Sequence, residues 1–392
     1  MDAALRAWGR ESYKKTSLAE LAAELRVTKA ALYRYFPSKE ALLAALEERF
    51  FDEYSAALKL PLSEAAEGRS ELRKRVDFVY YRALAPFAAD EDRFSFFFFH
   101  LLHAPCPFRR LHEELSARGA PGRMEKPGLD DEGLALNFAY ITGMHALAYA
   151  HQNRGKPGID PRFHGRAALA AAREVALCGL RMRPAPDCDY GALERLAALR
   201  PEEAGPGQPL LESVARAVAE AGLWNATMDM VAAGAGLSKS GLYAHFRSRE
   251  EALSSLFSAE FERIMELSAE RLARVEEGPC RLYVSMATTA NYLRARPDVL
   301  AAMRWVMAQH IDIRYPTARL LPPNGSFLEA EAEAGRCVLI GGSLDLTLHW
   351  MHFLVVDLLS RSMEDGTSPS IEVSLRKLHA LVLGGIEGAR SG

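Results

Sequence analysis

The chain has 392 residues, of which 49% are hydrophobic and 25% are charged, and its formal net charge is −3. This composition is typical of a soluble globular protein with room for two or more domains, and it excludes a chain that is basic throughout. The charge is uneven, because residues 1–39 contain eight Lys or Arg against four Asp or Glu, whereas residues 211–249 contain four against three. A nucleic-acid partner would therefore depend on a local patch.

The cysteines and the apolar segments indicate in which cellular compartment the protein is expected. The five cysteines are scattered and none forms a CxxC pair, which predicts reduced thiols, no disulfide framework and no zinc site. The first residues lack the pattern of a secretory signal, so we expect a cytoplasmic protein. Residues 337–360 have the length of a membrane helix, but they contain Asp345 and Asp357, each costly in hydrocarbon. We predict a buried soluble helix there and no membrane partner.

The first predicted elements are short helices separated by tight turns. After an opening apolar-periodic segment, Ser17 and Glu20 form a capping box that starts a second helix. A tight turn follows, and Thr28 is the N-cap of a third helix, which Pro37 ends. Ser38 then starts a long fourth helix. Two helices joined by a tight turn, with the N-terminal end of the second exposed, are typical of a recognition helix for the DNA major groove.

The rest of the first half has helical periodicity, with its two closing helices predicted at 131–151 and 161–180. Residues 184–209 then contain five prolines, which end one helix and delay the next. We interpret this segment as a linker between two lobes of similar size, with a helical turn or more at its centre. No period-2 strand pattern stands out, so the fold is predicted to be all-α.

The second half repeats the order of the first. Helices are predicted at 210–222 and 227–235, followed by a Gly turn, a helix capped by Ser238, and a long helix that Ser248 and Glu251 start as another capping box. TKAALYRYFPSKEAL at 28–42 and SKSGLYAHFRSREEA at 238–252 share six of fifteen residues, which indicates an internal repeat. The closing helices of this half are predicted at 335–361 and 370–389. The predicted domains are 1–48, 49–183, the linker 184–209, 210–257 and 258–392.

The third helix of each repeat carries side chains suited to DNA. A hydroxyl at a helix N-terminus, a lysine next to it and a tyrosine four residues on can contact phosphate or a thymine methyl. Leu32, Phe36, Leu242 and Phe246 are predicted to face inward between them. The predicted DNA-binding residues are Thr28, Lys29, Ala30, Tyr33, Arg34, Tyr35 and Lys39 in the first repeat, and Ser238, Lys239, Ser240, Tyr243, His245 and Arg249 in the second.

Each repeat resembles the DNA-binding segment of tetracycline-repressor-type (TetR) bacterial regulators. The shared pattern is a hydroxyl residue, an apolar pair, a turn, a second hydroxyl, then Leu-Tyr, Phe, and Ser-Lys/Arg-Glu. The first repeat matches it with Thr16 and Ser17, Leu21 and Ala22, Val27 and Thr28, Leu32 and Tyr33, Phe36, and Ser38 to Glu40. The second matches it with Thr227, Val231 and Ala232, Leu237 and Ser238, Leu242 and Tyr243, Phe246, and Ser248 to Glu250. The glycine of the family's turn is Arg26 in the first repeat.

The resemblance implies two TetR-like lobes fused in one chain, each with a helix-turn-helix domain and a helical ligand and dimerisation domain. Family members pair as two-fold dimers through their two closing helices, so the two lobes are expected to form an intrachain pseudo-dimer. Small residues would permit close contact between those helices, namely Gly179, Gly341, Gly342, Gly384 and Gly385. The alternative, that each pair of helices only completes its own lobe, stays open, as does further pairing into a homodimer.

The two repeats differ at aligned recognition positions: Ala30 against Ser240, Ala31 against Gly241, Arg34 against Ala244, and Tyr35 against His245. Two linked and unlike helix-turn-helix units need not bind a palindrome. We therefore predict a DNA-binding transcriptional regulator, a repressor by resemblance, with double-stranded DNA as partner and an asymmetric bipartite operator. The alternative is a protein that has lost DNA binding and sequesters a ligand or another regulator. No catalytic motif is present, so an enzyme is not predicted.

The resemblance also implies a pocket for an unknown small-molecule effector among the middle helices. The aromatic and histidine runs suggest lining residues, although such runs are more often ordinary core. The candidates are Phe94, Phe97, Phe98, His100, His103, Trp305, His310, His349 and Trp350. The spacings His100-x-x-His103-x-x-Cys106 and His349-x-x-His352 lack a carboxylate or second cysteine, so we predict neither a metal nor a cofactor.

Overall fold

A computed structural model of the chain describes residues 4–6, 17–60, 70–101, 107–120, 130–154, 162–183, 188–203, 205, 207–222, 225–307, 325–365 and 370–388. All regular elements in these ranges are helical and none is a strand, so the predicted all-α fold is confirmed. In the first half the helices are α1 (Leu18–Glu24), α2 (Lys29–Tyr35), α3 (Lys39–Lys59), α4 (Glu71–Phe78, continued by a π-helical turn at Val79–Ala83), α5 (Ala85–Ala89), α6 (Glu91–Phe99), α7 (Pro107–Ala117), α8 (Asp131–Gln152) and α9 (Gly165–Cys178).

The linker and the second half are also helical. They contain α10 (Tyr190–Ala197), α11 (Pro209–Ala221), α12 (Met228–Gly234), α13 (Lys239–His245), α14 (Arg249–Leu272), α15 (Gly278–Ala295), α16 (Pro297–Met307), α17 (Ser326–Glu333), α18 (Leu344–Asp365) and α19 (Ile371–Gly388). The described part of the chain contains no helix that is both long and apolar enough to cross a membrane.

The chain divides into two compact units, one of Met1–Gly128 with Ala139–Arg173 and one of Leu129–Phe138 with Glu174–Gly392. An aromatic cluster forms the core of the first unit. The Phe87 and Phe97 rings stack with centroids 4.6 Å apart, and Phe50 and Tyr54 pack against both. Because Phe50 and Tyr54 belong to α3, the helix that follows the first recognition helix is anchored in this core.

The core of the second unit is built around α15, whose residues are buried along most of its length. This helix contacts α10, α14, α16, α18 and α19. A helix that is covered on all sides needs apolar or small side chains around its whole circumference, and α15 supplies them as Leu282, Val284, Met286, Ala287 and Ala290.

The closing helices of both halves meet inside the second unit. The Leu180 and Met182 amides, just after α9, donate to the carbonyl oxygens of Val382 and Leu383 at 2.8 and 3.2 Å. A Cβ on Gly179 would lie 2.5 Å from the Leu383 backbone, and a Cβ on Gly385 would lie 2.3 Å from the backbone of Leu177. The contact is therefore main chain against main chain, as predicted for these two glycines.

The prediction for the other glycine pair is wrong. Gly341 and Gly342 have φ values of 57° and 73° and lie in a 3₁₀ turn at Ile340–Gly342. A Cβ on Gly342 would meet nothing within 4 Å. These glycines therefore serve a left-handed turn and not close helix packing, and α18 starts at Leu344, nine residues after the predicted start at 335.

The predicted linker is part of the second unit. Within it, α10 confirms the expected helical turn, and its Glu194 accepts hydrogen bonds from Arg376 at 2.7 and 2.8 Å and from the Tyr283 hydroxyl at 2.6 Å. Arg376 lowers the pKa of Glu194. Farther along, Asn291 Nδ2 donates to the Ala197 carbonyl oxygen at 3.0 Å. The segment is thus a structured connector whose polar groups pair with α15 and α19.

The prediction that the cysteines are reduced is wrong for one pair. Cys188, at the start of the connector, forms a disulfide with Cys280, in the first turn of α15, across a sequence separation of 92. The packing of α10 along α15 brings the two residues together, and their spacing in the sequence carries no sign of it. Cys178 and Cys337 are free thiols, and Cys106 lies outside the described residues.

We predict that reducing the Cys188–Cys280 disulfide lowers the free energy of unfolding of the second unit by about 4 kcal/mol, because it reopens a long loop in the unfolded chain. Urea unfolding of the oxidised and reduced protein measures the loss. The double variant Cys188→Ser/Cys280→Ser should unfold at the midpoint of the reduced protein and should not respond to reductant. Equal midpoints for oxidised and fully reduced protein would contradict the prediction.

Gly179→Ala should destabilise the second unit by about 2–5 kcal/mol, because it adds a Cβ to a backbone contact and places a non-glycine residue in the left-handed region. Gly342→Ala is the matched control, since its φ is also positive but the space around it is open. The control should lose only about 1–2 kcal/mol. Urea midpoints compare the variants, and equal losses would show that the helix ends are not in close contact.

Candidate nucleic-acid interface

Both repeats form a helix-turn-helix with the same turn. We call residues 17–38 the first head and residues 227–248 the second head. In the first head the amides of Arg26 and Val27 donate to the carbonyl oxygens of Ala23 and Ala22 at 3.0 and 2.9 Å. The corresponding bonds of the second head, from residues 236 and 237, are 3.2 and 2.9 Å. This pair of hydrogen bonds ends the first helix of each head, and the residue that follows the helix lies in the left-handed region.

The left-handed position is Arg26 in the first head and Gly236 in the second, with φ values of 54° and 65°. Glycine adopts this conformation without a Cβ clash, whereas arginine does not. The first head therefore keeps the turn geometry at a cost that the second head avoids. The exposed Arg26 side chain adds positive charge to the first head.

The predicted N-caps are confirmed, with one difference. Thr28 and Ser238 accept from the amides of residues 31 and 241, both at 3.1 Å. The capping box of Ser17 is complete, because the Glu20 carboxylate accepts from the Ser17 amide at 2.5 Å; this bond lowers the pKa of Glu20. The box predicted at Ser248 is incomplete, since the carboxylate of residue 251 accepts from the amide of residue 247 and not of residue 248.

The apolar residues of each recognition helix face inward as predicted. Leu32, Leu242 and Phe246 are buried, and Phe36 is half-buried. The predicted contact residues lie on the other side. Exposed positions are Thr28, Lys29, Ala30, Tyr33, Arg34, Tyr35, Ser238, Lys239, Ser240, Tyr243 and His245, and half-buried positions are Lys39 and Arg249. Each head thus presents one polar and aromatic surface, held by an apolar underside.

The two surfaces differ in charge. In the first head, Lys29 Nζ lies 5.7 Å from the centroid of the Tyr33 ring. In the second head, Lys239 Nζ lies 3.0 Å from the carboxylate of Asp229, which raises the pKa of Lys239. Sequence reasoning did not single out Asp229. Its only signal was its place on α12, ten residues before the lysine and across the turn.

A buried ionic cluster joins α11 and α14, the helices that precede and follow the second head, to the end of α15. Arg296 forms ion pairs with Glu212 of α11 and with Glu260 of α14, and the Tyr292 hydroxyl donates to Glu260 at 2.6 Å. Burial raises the pKa of Glu260. The position of Glu260 corresponds to Phe50 in the first half, so the two heads rest on unlike cores.

Of the predicted pocket residues in the first half, Phe94 and Phe97 are buried in the aromatic core. His100 Nε2 lies 2.9 Å from Glu47 Oε1. Burial opposes ionisation of Glu47, but His100 and Arg110 hold its pKa below the ordinary value. The Phe98 side chain and His103 lie outside the described residues. These contacts place the histidine at the edge of the packed core, and a pocket there stays a prediction.

In the second half, Trp350 is fully buried against Phe138, and His349 is half-buried on the same helix. The Trp305 side chain and His310 lie outside the described residues. An effector pocket in this half likewise stays a prediction. Among the described residues no group of three or more His, Cys, Asp or Glu could hold a metal ion.

Several buried polar atoms of the middle and closing helices have no hydrogen-bond partner among the described residues. They include Tyr140 Oη in the first half and Ser268 Oγ, Thr288 Oγ1 and His352 Nε2 in the second. His352 Nδ1 donates to the Leu348 carbonyl oxygen at 2.7 Å, which leaves Nε2 as an acceptor in the neutral ring. Burial lowers the pKa of His352.

Comparison with known proteins finds two matching segments in the chain. Residues 1–46 and 210–256 both match the profile described as bacterial regulatory proteins, tetR family. The uncharacterized HTH-type transcriptional regulator YuxN of Bacillus subtilis (strain 168) is 31% identical over 84 residues, which are 21% of this chain and 29% of that protein. The fatty acid degradation regulator FadR from Bacillus halodurans aligns over 48% of this chain and 98% of its own, with 15% identity and a TM-score of 0.38.

The fold and the two equivalent surfaces define a tandem helix-turn-helix protein. Residues 1–46 and 210–256 each match the N-terminal domain of the tetR family of bacterial regulatory proteins, so the chain carries that domain twice, as a tandem duplication.

We predict that Arg26→Gly stabilises the first head by about 0.5–1 kcal/mol, because it removes the left-handed strain at that turn. The amides of α1 and α2 should then exchange hydrogen about two to five times more slowly. The mirror variant Gly236→Arg should destabilise the second head by a similar amount. Faster exchange in Arg26→Gly would show that the arginine side chain itself holds the turn.

Proposed function

We propose that this protein is a DNA-binding transcriptional regulator, a repressor by family resemblance, whose two unlike heads bind an asymmetric bipartite operator. A small-molecule effector releases it. The observation that carries the proposal is a pair of helix-turn-helix surfaces that share their caps, turn and apolar underside but differ in the exposed residues. The two heads can therefore be positioned on the DNA backbone in the same way, while the side chains that contact the bases differ.

The unlike residues have different hydrogen-bonding capacity. Arg34 can donate two bonds to one guanine, whereas Ala244 at the matching position makes only apolar contact. Ala30 is matched by Ser240, whose hydroxyl lies 3.1 Å from the Ser238 hydroxyl. Each half-site should therefore have its own sequence preference, with centres about one helical turn of DNA apart or somewhat more.

The contact between the closing helices supports an intrachain pseudo-dimer. The Gly179 and Gly385 contact joins the last helix of the first half to the last helix of the second. Lys377 of α19 also pairs with Asp131 of α8 at 2.5 Å, and Asn137 donates to Asp357 at 2.6 Å. We propose that these contacts take the place of the pairing between two separate chains, so that one chain presents two heads.

Buried polar atoms support the effector. A buried hydroxyl or ring nitrogen without a partner destabilises the protein by about 1–3 kcal/mol, and water or a ligand commonly satisfies such groups. Thr288 and His352 of the second half, and Tyr140 of the first, are of this kind. An effector bound beside Thr288 and His352 in the second half would act on the second head through Arg296. This arginine is ion-paired with Glu212 of α11, the helix that precedes the second head.

The test is enrichment of random duplex DNA on the purified protein at moderate salt. We expect a bipartite site with unlike halves. Arg34→Ala, which copies the second head's residue, should relax the base preference in one half only, by about 1–3 kcal/mol at a single base pair. Ala244→Arg is the matched variant and should change only the other half. Enrichment of perfect palindromes would refute the asymmetric operator.

The second candidate is a sequestering protein that does not bind DNA. The ion pair of Lys239 with Asp229 favours it, because it reduces the positive charge that the second head presents. Failure to enrich any DNA, together with no salt-dependent binding of unrelated duplex, would decide for this candidate.

A further inference from the structure

Asp229 places a negative charge on the DNA-facing side of the second head. Its Oδ1 and Oδ2 atoms lie 3.0 and 3.1 Å from Lys239 Nζ. The two side chains are 65% and 61% exposed, so the pair lies at the surface and is open to a phosphate. Lys239 immediately precedes Ser240 on the recognition helix α13, where the predicted base contacts begin.

The corresponding position of the first head has no carboxylate. The residue that corresponds to Asp229 is Ala19, and among the described residues Lys29 has no carboxylate partner and lies over the Tyr33 ring. The first head has two acids on α1, Glu20 and Glu24, and the Glu20 carboxylate accepts a hydrogen bond from the Ser17 amide at 2.5 Å. One head therefore uses an acid of its first helix to cap that helix, and the other uses an acid to bind its recognition lysine.

This difference has a consequence for DNA binding. Each lysine that neutralises a phosphate releases a condensed counterion, which is the main source of non-specific affinity. When Lys239 contacts a phosphate, the Asp229 carboxylate stays nearby, partly neutralises the lysine and repels the same phosphate. An exposed ion pair is worth at most about 1 kcal/mol, so it can be opened. The repulsion by the carboxylate persists for as long as the DNA is bound.

We propose that Asp229 is a specificity-determining residue of the second head: it holds Lys239 and repels backbone phosphates, so this head binds unrelated DNA weakly and engages only where base contacts favour it. The inference rests on the proposed function, because it concerns how the second of two DNA-binding surfaces selects its half-site. Asp229 thus acts on discrimination, whereas Arg34 of the first head acts on base identity.

The test compares affinities for a fluorescent, unrelated duplex of about 30 base pairs across about 50 to 200 mM salt. Asp229→Asn should bind it about eightfold more tightly than wild type at 0.1 M salt, because one further phosphate contact scales affinity with salt to the power of about −0.9. The log–log salt slope should steepen by the same 0.9. On the duplex enriched by the wild-type protein the gain should be smaller, so the ratio of specific to non-specific affinity falls.

Three matched variants make the result specific. Ala19→Asp transfers the carboxylate to the first head and should weaken binding of the unrelated duplex about as much as Asp229→Asn strengthens it. Glu266→Gln removes an exposed carboxylate near the C-terminal end of α14. It should change affinity less than twofold, since screening limits the reach of a surface charge to about 10 Å. In a Lys239→Ala background, Asp229→Asn should gain less, because no lysine is freed.

The outcomes separate this inference from the proposed function. If wild type binds the unrelated duplex with a clear salt slope but Asp229→Asn binds it equally, the role of Asp229 is refuted and the regulator proposal stands. A gain in Glu266→Gln equal to that in Asp229→Asn would also refute it, because net charge would then explain both. If Asp229→Asn raises the affinity as much in the Lys239→Ala background as in wild type, the claim that Asp229 acts by binding Lys239 is refuted. No DNA binding by any variant would overturn both proposals.

Discussion

The backbone contact at Gly179 and Gly385 is the constraint on which the second unit depends. Each glycine is required for two separate reasons, because its φ is positive, at 59° and 64°, and because a Cβ would lie within about 2.5 Å of the other segment's main chain. In this arrangement the amides of Leu180 and Met182 donate to the carbonyl oxygens of Val382 and Leu383. Since both partners belong to one chain, the contact forms at any protein concentration, unlike a contact between subunits.

A covalent pair of halves can diverge in ways that a two-fold dimer cannot. In a symmetric dimer every substitution occurs twice, at equivalent sites. Here the helix-end glycines are kept in both halves, while the core under the heads is ionic at Glu260 and aromatic at Phe50. The recognition surface likewise has Asp229 in one head and Ala19 in the other. At these positions the two halves differ, while the contact between Gly179 and Gly385 is present.

The sequence predicts what depends on neighbouring residues and misses what depends on distant ones. Helix starts at Thr28 and Ser238 follow from caps that act over three residues. The Cys188–Cys280 disulfide depends on the packing of α10 along α15, and no local pattern encodes that. The ion pair of Asp229 with Lys239 is not predicted from the sequence for the same reason. Its distance is set by the turn between the two helices. The apolar run before α18 has helical periodicity, but two glycines with positive φ interrupt it, and periodicity does not register backbone conformation.

Tethering two heads explains why the second should be weakened. Once the first head is bound, the DNA beside it is presented to the second at an effective concentration of roughly millimolar. A head with an ordinary non-specific dissociation constant of about 10⁻⁴ to 10⁻⁶ M would then be bound nearly always, whatever the sequence. Its occupancy can depend on base contacts only if non-specific binding is weakened, so that the non-specific dissociation constant rises to near the effective concentration. A carboxylate that binds the lysine and repels phosphate lowers that part without removing the groups that contact bases. In the proposed regulator, the net positive charge of residues 1–39 supplies affinity, and the Asp229–Lys239 pair of the second head supplies discrimination.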